Sequence, residues 1–226
     1  MERLNIRLDI EYNGTEFSGW QVQNNAVTIQ GKIEEAIQKV TGQKVSLHAA
    51  GRTDAGVHAL GQVANFRIEH DLPLEKYRDA INYYLPETIL ITGVSEVPYD
   101  FHARKSAKSR HYRYMVGIEK SALYHGFRWE YPQALNMDRM NEIAQFIRGI
   151  HDFSAFCVVS SLKENNDCDI KHSEWRRVGS LFIYEIVANR FLHSMVRSLV
   201  GTMVDAGLEK DYLTLTNFEN IMSSGD

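Results

Sequence analysis

Apolar residues fall on alternate positions from the start of the chain. In NIRLDIEY, Ile6, Leu8, Ile10 and Tyr12 share one face, while Asn5, Arg7, Asp9 and Glu11 share the other. That pattern predicts a strand with one wet side. The period then changes. TIQGKIEEAIQKVTG carries Ile29, Ile33, Ala36, Ile37 and Val40 at helical spacing, and Gly42 closes it. Between these two segments, Asn-Gly in YNGTEFSGW signals a turn or loop. QVANFRI returns to alternation, with Ala64, Phe66 and Ile68 on one face. A helix follows over about Leu74–Tyr84 and stops before Pro86. ILITGVSEV predicts a short strand, and SRHYRYMVG another with Tyr112, Tyr114 and Val116 on one side.

The second half repeats the theme. NMDRMNEIAQFIRG offers Asn136 as an N-cap and Gly149 as a C-terminal stop. WRRVGSLFIYEIVAN reads as a hairpin turning near Gly179, and a long helix follows from about Phe191 to Ala206, ending at Gly207. SSLKENNDCDIKHSEW is the most loop-like long stretch and reads as a mobile surface loop. Strands and helices alternate, yet several strands have the one-sided pattern of an antiparallel sheet. The expected fold class is therefore α+β: two α/β lobes sharing a central, mainly antiparallel sheet, with helices on one face. The expected lobes are residues 1–105 and 106–226.

Composition narrows the classes. A chain of 226 residues, 44% hydrophobic and 24% charged, is ordinary for a globular protein with a sizeable core. No apolar run approaches the roughly 20 residues that span a bilayer, and MERLNIRLDIEY alternates from the outset, with no signal peptide in view. The expected location is the cytoplasm, where Cys157 and Cys168 would be buried, reduced thiols. A net charge of −4 argues against a uniformly basic nucleic-acid coat but leaves room for a local basic groove.

Candidate chemistry centres on HAAGRTDAGVHALGQVANF. Gly51, Gly56 and Gly61 surround one carboxylate, Asp54, with Arg52 two residues before it. The stretch has neither GxGxxG spacing nor a GK[ST] ending, so it is no phosphate loop. Asp54 either caps a turn, as Asp often does, or acts as a nucleophile or base. The second role requires a cation to keep it ionised where water is scarce. Arg52 is one candidate cation and Arg197 another. On a wheel of roughly 100° per residue, Leu192, Met195, Val196, Leu199, Val200 and Met203 form one apolar arc, with Arg197 at its edge beside Val204 and His193. Arg197 either snorkels to solvent or pairs with a carboxylate. In FHARKSAKSRHYRYMV, the cations Arg104, Lys105, Lys108, Arg110 and Arg113 interleave with His111, Tyr112 and Tyr114. This is a solvated basic loop or an RNA-binding strand, in which cations meet phosphates and a ring stacks on a base. The nine histidines show no HExxH or HxH pairing, and no GxSxG elbow is present. Chemistry without metal or cofactor, centred on one carboxylate, is the simplest that remains.

These stretches resemble the tRNA pseudouridine synthase A family. AGRTDAGVHALGQVANF is similar to its catalytic motif, with Asp54 at the aspartate, and DFHARKSAKSRHYRY to a second motif. IHDFSAF and ANRFLHSMVRSLVG match a third and fourth; EYNGTEFSGWQVQ and NYYLP also fit. The resemblance implies an isomerase that detaches uracil from its ribose, rotates it and rejoins it through carbon, typically at positions 38 to 40 of the tRNA anticodon stem-loop. It implies Asp54 as the essential carboxylate and Arg197 as the arginine that pairs with it. Tyr112 would pack on the target base and assist the last proton removal from C5, and Arg52 would help displace the uridine. Arg104, Lys105, Arg110 and Arg113 would form the basic rim. It further implies an active-site cleft between two related lobes, a homodimer, and a segment beyond FENIMSSGD that returns a strand and an apolar residue to the site; the sequence ends at Asp226, before such a segment. A catalytically silent RNA-binding protein of the same fold is the alternative, and a carboxylate paired with an arginine has no use in it.

Overall fold

The computed structural model describes residues 3–69, 72–210 and 213–224. The chain divides into two compact units, Met1–Ala107 and Lys108–Asp226. Both combine helices with a mainly antiparallel sheet, in agreement with the α+β class. The expected shared sheet is, at the level of hydrogen bonds, two ladders, one per unit.

The first unit is built on β1 (Leu4–Tyr12), β2 (His48–Ala49), β3 (Ala59–Ile68) and β4 (Ile89–Glu96), in the order β2-β3-β1-β4. Ile6, Leu8, Ile10 and Tyr12 are buried on the face that alternation predicts. They meet Ala64, Phe66, Ile68, Ile89 and Ile91 from the neighbouring strands. Helices α1 (Ile29–Thr41) and α2 (Leu74–Tyr84) close this face with Ile33, Ala36, Ile37, Tyr77 and Ile81. Their ends lie where local chemistry puts them. Thr28 accepts a hydrogen bond from Gly31 N to open α1, and Gly42 ends it in a left-handed conformation. Leu85, extended ahead of Pro86, ends α2. The other face of the sheet departs from the pattern at one end, where Asn5 is buried despite its polarity. Its amide donates to Pro98 O at 2.9 Å and Phe101 O at 3.0 Å, and Asn65 bridges it to Ala103 N. Hydrogen bonds to a crossing segment offset its desolvation. That segment leads into α3 (Ala103–Ser106).

In the second unit β5 (Arg110–Gly117), β6 (Trp129–Glu130), β7 (Gly149–Asp152), β8 (Asp167–Val178) and β9 (Leu181–Ala188) take the order β6-β5-β9-β8-β7. Helices α4 (Met137–Phe146), α5 (Met195–Gly207) and α6 (Leu215–Ser224) pack on one face around Met140, Leu199, Met203, Trp175, Tyr184 and Phe218. Asn136 caps α4 through its side-chain oxygen, which accepts from Asp138 N and Arg139 N.

Three expectations about the elements, and one about a thiol, are corrected here. The supposed loop around Asp167–Trp175 is most of β8, with Cys168, Ile170, Ser173 and Trp175 inward. Its alternation escapes notice because a bulge between Ile170 and His172 shifts the phase and one inward residue is a serine. The last long helix begins at Met195 rather than Phe191, because Ser194 has a φ of 62° and the backbone turns before the helix can start. Gly149 does not stop α4, which is already capped at Ile147, but opens β7 with a φ of 97°. Helices α3 and α6 and the short strands β2, β6 and β7 have no counterpart in the sequence reading. Of the two thiols, Cys168 is buried and Cys157 only partly so, and both are free.

Candidate active site

Asp54 lies between β2 and β3, on a loop that contributes no regular hydrogen-bonding pattern of its own. Its backbone carbonyl accepts from Val57 N at 3.2 Å, a tight turn that carries Gly56 at a φ of 75°. On the strand side, Ala50 N donates to Val63 O at 2.8 Å, and the Gln62 amide donates to Gly51 O at 2.9 Å. Asp54 is half-buried, and Arg52 is exposed.

The opposite side of the loop is braced by the segment after β1. Trp20 N donates to Thr53 O at 3.0 Å, and Gly56 N donates to Phe17 O at 3.4 Å. The hydroxyls of Tyr12 and Thr53 pair at 2.8 Å, and Gly14 N donates to His58 Nδ1 at 3.1 Å. The two chains run so close that a Cβ on Gly14 would collide with the Val57 carbonyl. One on Gly19 would lie 2.7 Å from Thr53 O. By contrast, a Cβ at Gly51 or Gly61 would meet nothing within 4 Å. The glycines that let the loop pack are thus Gly14 and Gly19, outside the motif. Tyr12, Gly14, Gly19 and His58 are the residues sequence reasoning missed. The signal for the first three was the Asn-Gly turn in YNGTEFSGW, which says that the chain turns but not against what, and His58 lay unread within the Asp54 motif itself.

Arg104 and Lys105 are exposed on α3 of the same unit. His102 Nδ1 accepts from Arg104 N, and its ring stacks on His48 with centroids 4.8 Å apart. Burial, helped by the charges of His48, Lys105 and Arg104, holds the His102 imidazole below its usual pKa. Cations therefore gather at this edge of the first unit.

Arg110, Tyr112, Arg113 and Arg197 belong to the second unit. On β5, Tyr112 and Tyr114 face the helices, as their spacing predicts. Tyr112 packs edge-on against Phe191, centroids 5.1 Å apart. The preceding residue, Arg190, donates to Asp167 O and Asn165 O, both at 2.8 Å. Arg197 is exposed on the first turn of α5. Burial raises the pKa of the Tyr114 phenol, and the Arg197 charge opposes that rise, which places the guanidinium near this ring. Arg110 donates to Asn189 O at 2.8 Å. Arg113 lies on the other face of β5, paired with Glu185 at 2.6 Å, and holds that carboxyl below its ordinary range. The basic run thus spreads its cations over two faces of a strand.

Among the described residues no three His, Cys, Asp or Glu side chains form a group that could hold a metal ion. Among the same residues, no helix is long and apolar enough to cross a membrane.

Comparison with known proteins is consistent with this layout. A family model described as tRNA pseudouridine synthase matches residues 10–104 and 143–225. Asp54 and Arg197 fall within the matched segments, and Tyr112 between them. The chain is 43% identical over 204 residues to tRNA pseudouridine synthase A of Chlorobium luteolum, covering 90% of this chain and 81% of that one. The namesake from Chlorobium limicola is 44% identical over 204 residues, covering 90% and 84%. That of Brachyspira hyodysenteriae is 40% identical over 229 residues, covering 98% and 90%.

Proposed function

The chain belongs to the tRNA pseudouridine synthase family, an isomerase family, and we propose that it turns uridine into pseudouridine at positions 38 to 40 of the tRNA anticodon stem-loop, with Asp54 as the essential carboxylate. The observation that carries this reading is the bracing of the Asp54 loop: a half-buried acid stands on a turn clamped from both sides. Such fixing suits a group that must meet a reacting atom, because misplacement is costly in rate.

The reaction is a balanced rearrangement. The bond from uracil N1 to ribose C1′ breaks, a bond from C5 to C1′ forms, C5 loses its proton and N1 gains one. Asp54 serves the ribosyl or base centre through its carboxylate oxygens. In this reading Arg197 is the cation that pairs with this carboxylate. Tyr112, its ring fixed by Phe191, packs on the base and assists removal of the C5 proton. The uridine must leave the stack to be reached, and Arg52 assists that displacement. Arg104, Lys105 and Arg110 meet phosphates; Arg113 does so only as far as Glu185 shares it. No metal or cofactor is invoked. A homodimer in the cytoplasm completes the reading, the tRNA lying across both copies so that only part of an acidic surface need be basic.

The test is incubation with unmodified tRNA followed by mapping of pseudouridines. The wild-type chain should modify the anticodon stem-loop. Asp54→Ala should lose at least about a thousandfold in rate while binding tRNA nearly as well. An Asp54→Ala protein that converts uridine at the wild-type rate would remove Asp54 from the chemistry.

A further inference from the structure

The segment from Tyr12 to Trp20 touches the Asp54 loop at four hydrogen bonds and two close backbone approaches, and after Tyr12, the last residue of β1, it lies outside the strands. Tyr12 reaches Thr53, one residue before Asp54, and Trp20 N holds the carbonyl of the same residue. Gly14 N and the His58 ring join the far end of the turn. Phe17 O accepts from Gly56 N in between. Asp54 is therefore bracketed at Thr53, Gly56 and His58, with the braces falling on both sides of it.

From this geometry we infer that the 12–20 segment is a template that sets the position of Asp54, with His58 and Tyr12 as positioning residues for the reaction. His58 is well suited to the task. A ring nitrogen accepts a hydrogen bond only when it carries no proton, so Nδ1 reads the Gly14 amide specifically, at 3.1 Å. Gly14 can be approached so closely only because it has no side chain, since a Cβ there would strike the carbonyl of Val57. Tyr12 has its ring buried at the end of β1 and extends only its hydroxyl to Thr53. One buried strand residue thereby transmits the rigidity of the sheet to the loop. The two roles are separated from tRNA binding by comparing kcat with KM.

This inference rests on Asp54 being the reactive carboxylate, so it is tested by two independent readouts. The first is steady-state kinetics with unmodified tRNA. His58→Ala should lower kcat about 10- to 100-fold, the cost of a loosely held group, with KM for tRNA within about twofold. In His58→Asn, the side-chain Oδ1 takes the place of Nδ1 as acceptor, and kcat should return to within a few-fold of wild type. His58→Gln, whose amide corresponds to the distal ring nitrogen, should not restore it. Tyr12→Phe keeps the buried ring and should lower kcat by about 3- to 10-fold, which covers the case of a poorly folded His58→Ala. The second readout is amide hydrogen exchange in peptides spanning 12–20 and 50–60. Both should exchange faster in His58→Ala and recover in His58→Asn. Wild-type kcat in both His58→Ala and Tyr12→Phe overturns the inference; so does a loss in His58→Ala that Asn does not rescue, or unchanged exchange. If the wild-type chain makes no pseudouridine, the functional reading fails instead, and exchange alone decides whether the template exists.

Discussion

The two units hold their candidate functional groups by different means. In the first, Asp54 stands on irregular backbone, and its position is the sum of hydrogen bonds from β3 on one side and the 12–20 segment on the other. In the second, Tyr112 and Arg197 stand on a strand and on the first turn of a helix, whose ladders exist for reasons of their own. A loop has no periodic hydrogen bonds to define it, so each brace carries a share of the geometry. A strand residue inherits its position from a whole sheet, and one altered neighbour moves it little. The proposed reacting carboxylate thus stands on the element with least intrinsic order.

The contrast breaks most visibly at Gly14. Gly14→Ala drives a methyl group into the Val57 carbonyl, and backbone cannot rotate away as a side chain can. Activity should fall by more than roughly a hundredfold, with a stability loss of about 2–4 kcal/mol. Assays with unmodified tRNA and thermal denaturation measure the two effects, and wild-type activity would mean that the loop is not clamped.

A smaller effect, of opposite character, is expected in the second unit. Ser173 is fully buried, and its hydroxyl pairs with that of Tyr184 at 2.8 Å, on the column of the sheet next to Ile186 and Tyr112. Ser173→Ala leaves the Tyr184 hydroxyl unsatisfied and should cost about 1–3 kcal/mol of stability. At a temperature where the variant is still folded, kcat should stay near wild type. Comparable losses of kcat and stability would erase the distinction between the units.

The smallest effect concerns pH. The His102 pKa is lowered in the folded chain, first by burial and then by the charges of His48, Lys105 and Arg104. Above the ordinary imidazole value of about 6.5, nothing is lost. As pH falls below it the unfolded chain binds the proton first, so stability declines until folded His102 titrates in turn. His102→Asn keeps an acceptor for Arg104 N but has no proton to take up. Its melting temperature should fall less than that of wild type between about pH 7 and about pH 5. Identical slopes would show that His102 titrates alike in both states.

Much of the fold was legible because burial follows period. The inward faces of β1, β3 and β5, the end of α1 and the extent of α2 come directly from alternation, helical spacing, Gly42 and Pro86. Strand β8 was not legible because its inward register passes through a bulge and a serine whose hydroxyl is satisfied only by Tyr184, a residue on another strand. Helix α5 was legible in its apolar arc but not in its start, which depends on the left-handed Ser194.

The candidate site divides the same way. Sequence by itself determined that Asp54 is a carboxylate in a turn-prone stretch, that Tyr112 shares a strand face with Tyr114, and that Arg197 lies at the edge of an apolar helix face. These follow from residue chemistry and from spacings of a few positions. Tertiary structure decided that Arg113 turns away to Glu185 and that the Asp54 loop leans on Tyr12, Gly14, Gly19 and His58. Three of those four are some forty residues from Asp54 in the chain, and no local pattern announces which distant backbone will come within hydrogen-bonding distance. Periodicity specifies what faces inward; only packing specifies what it meets there.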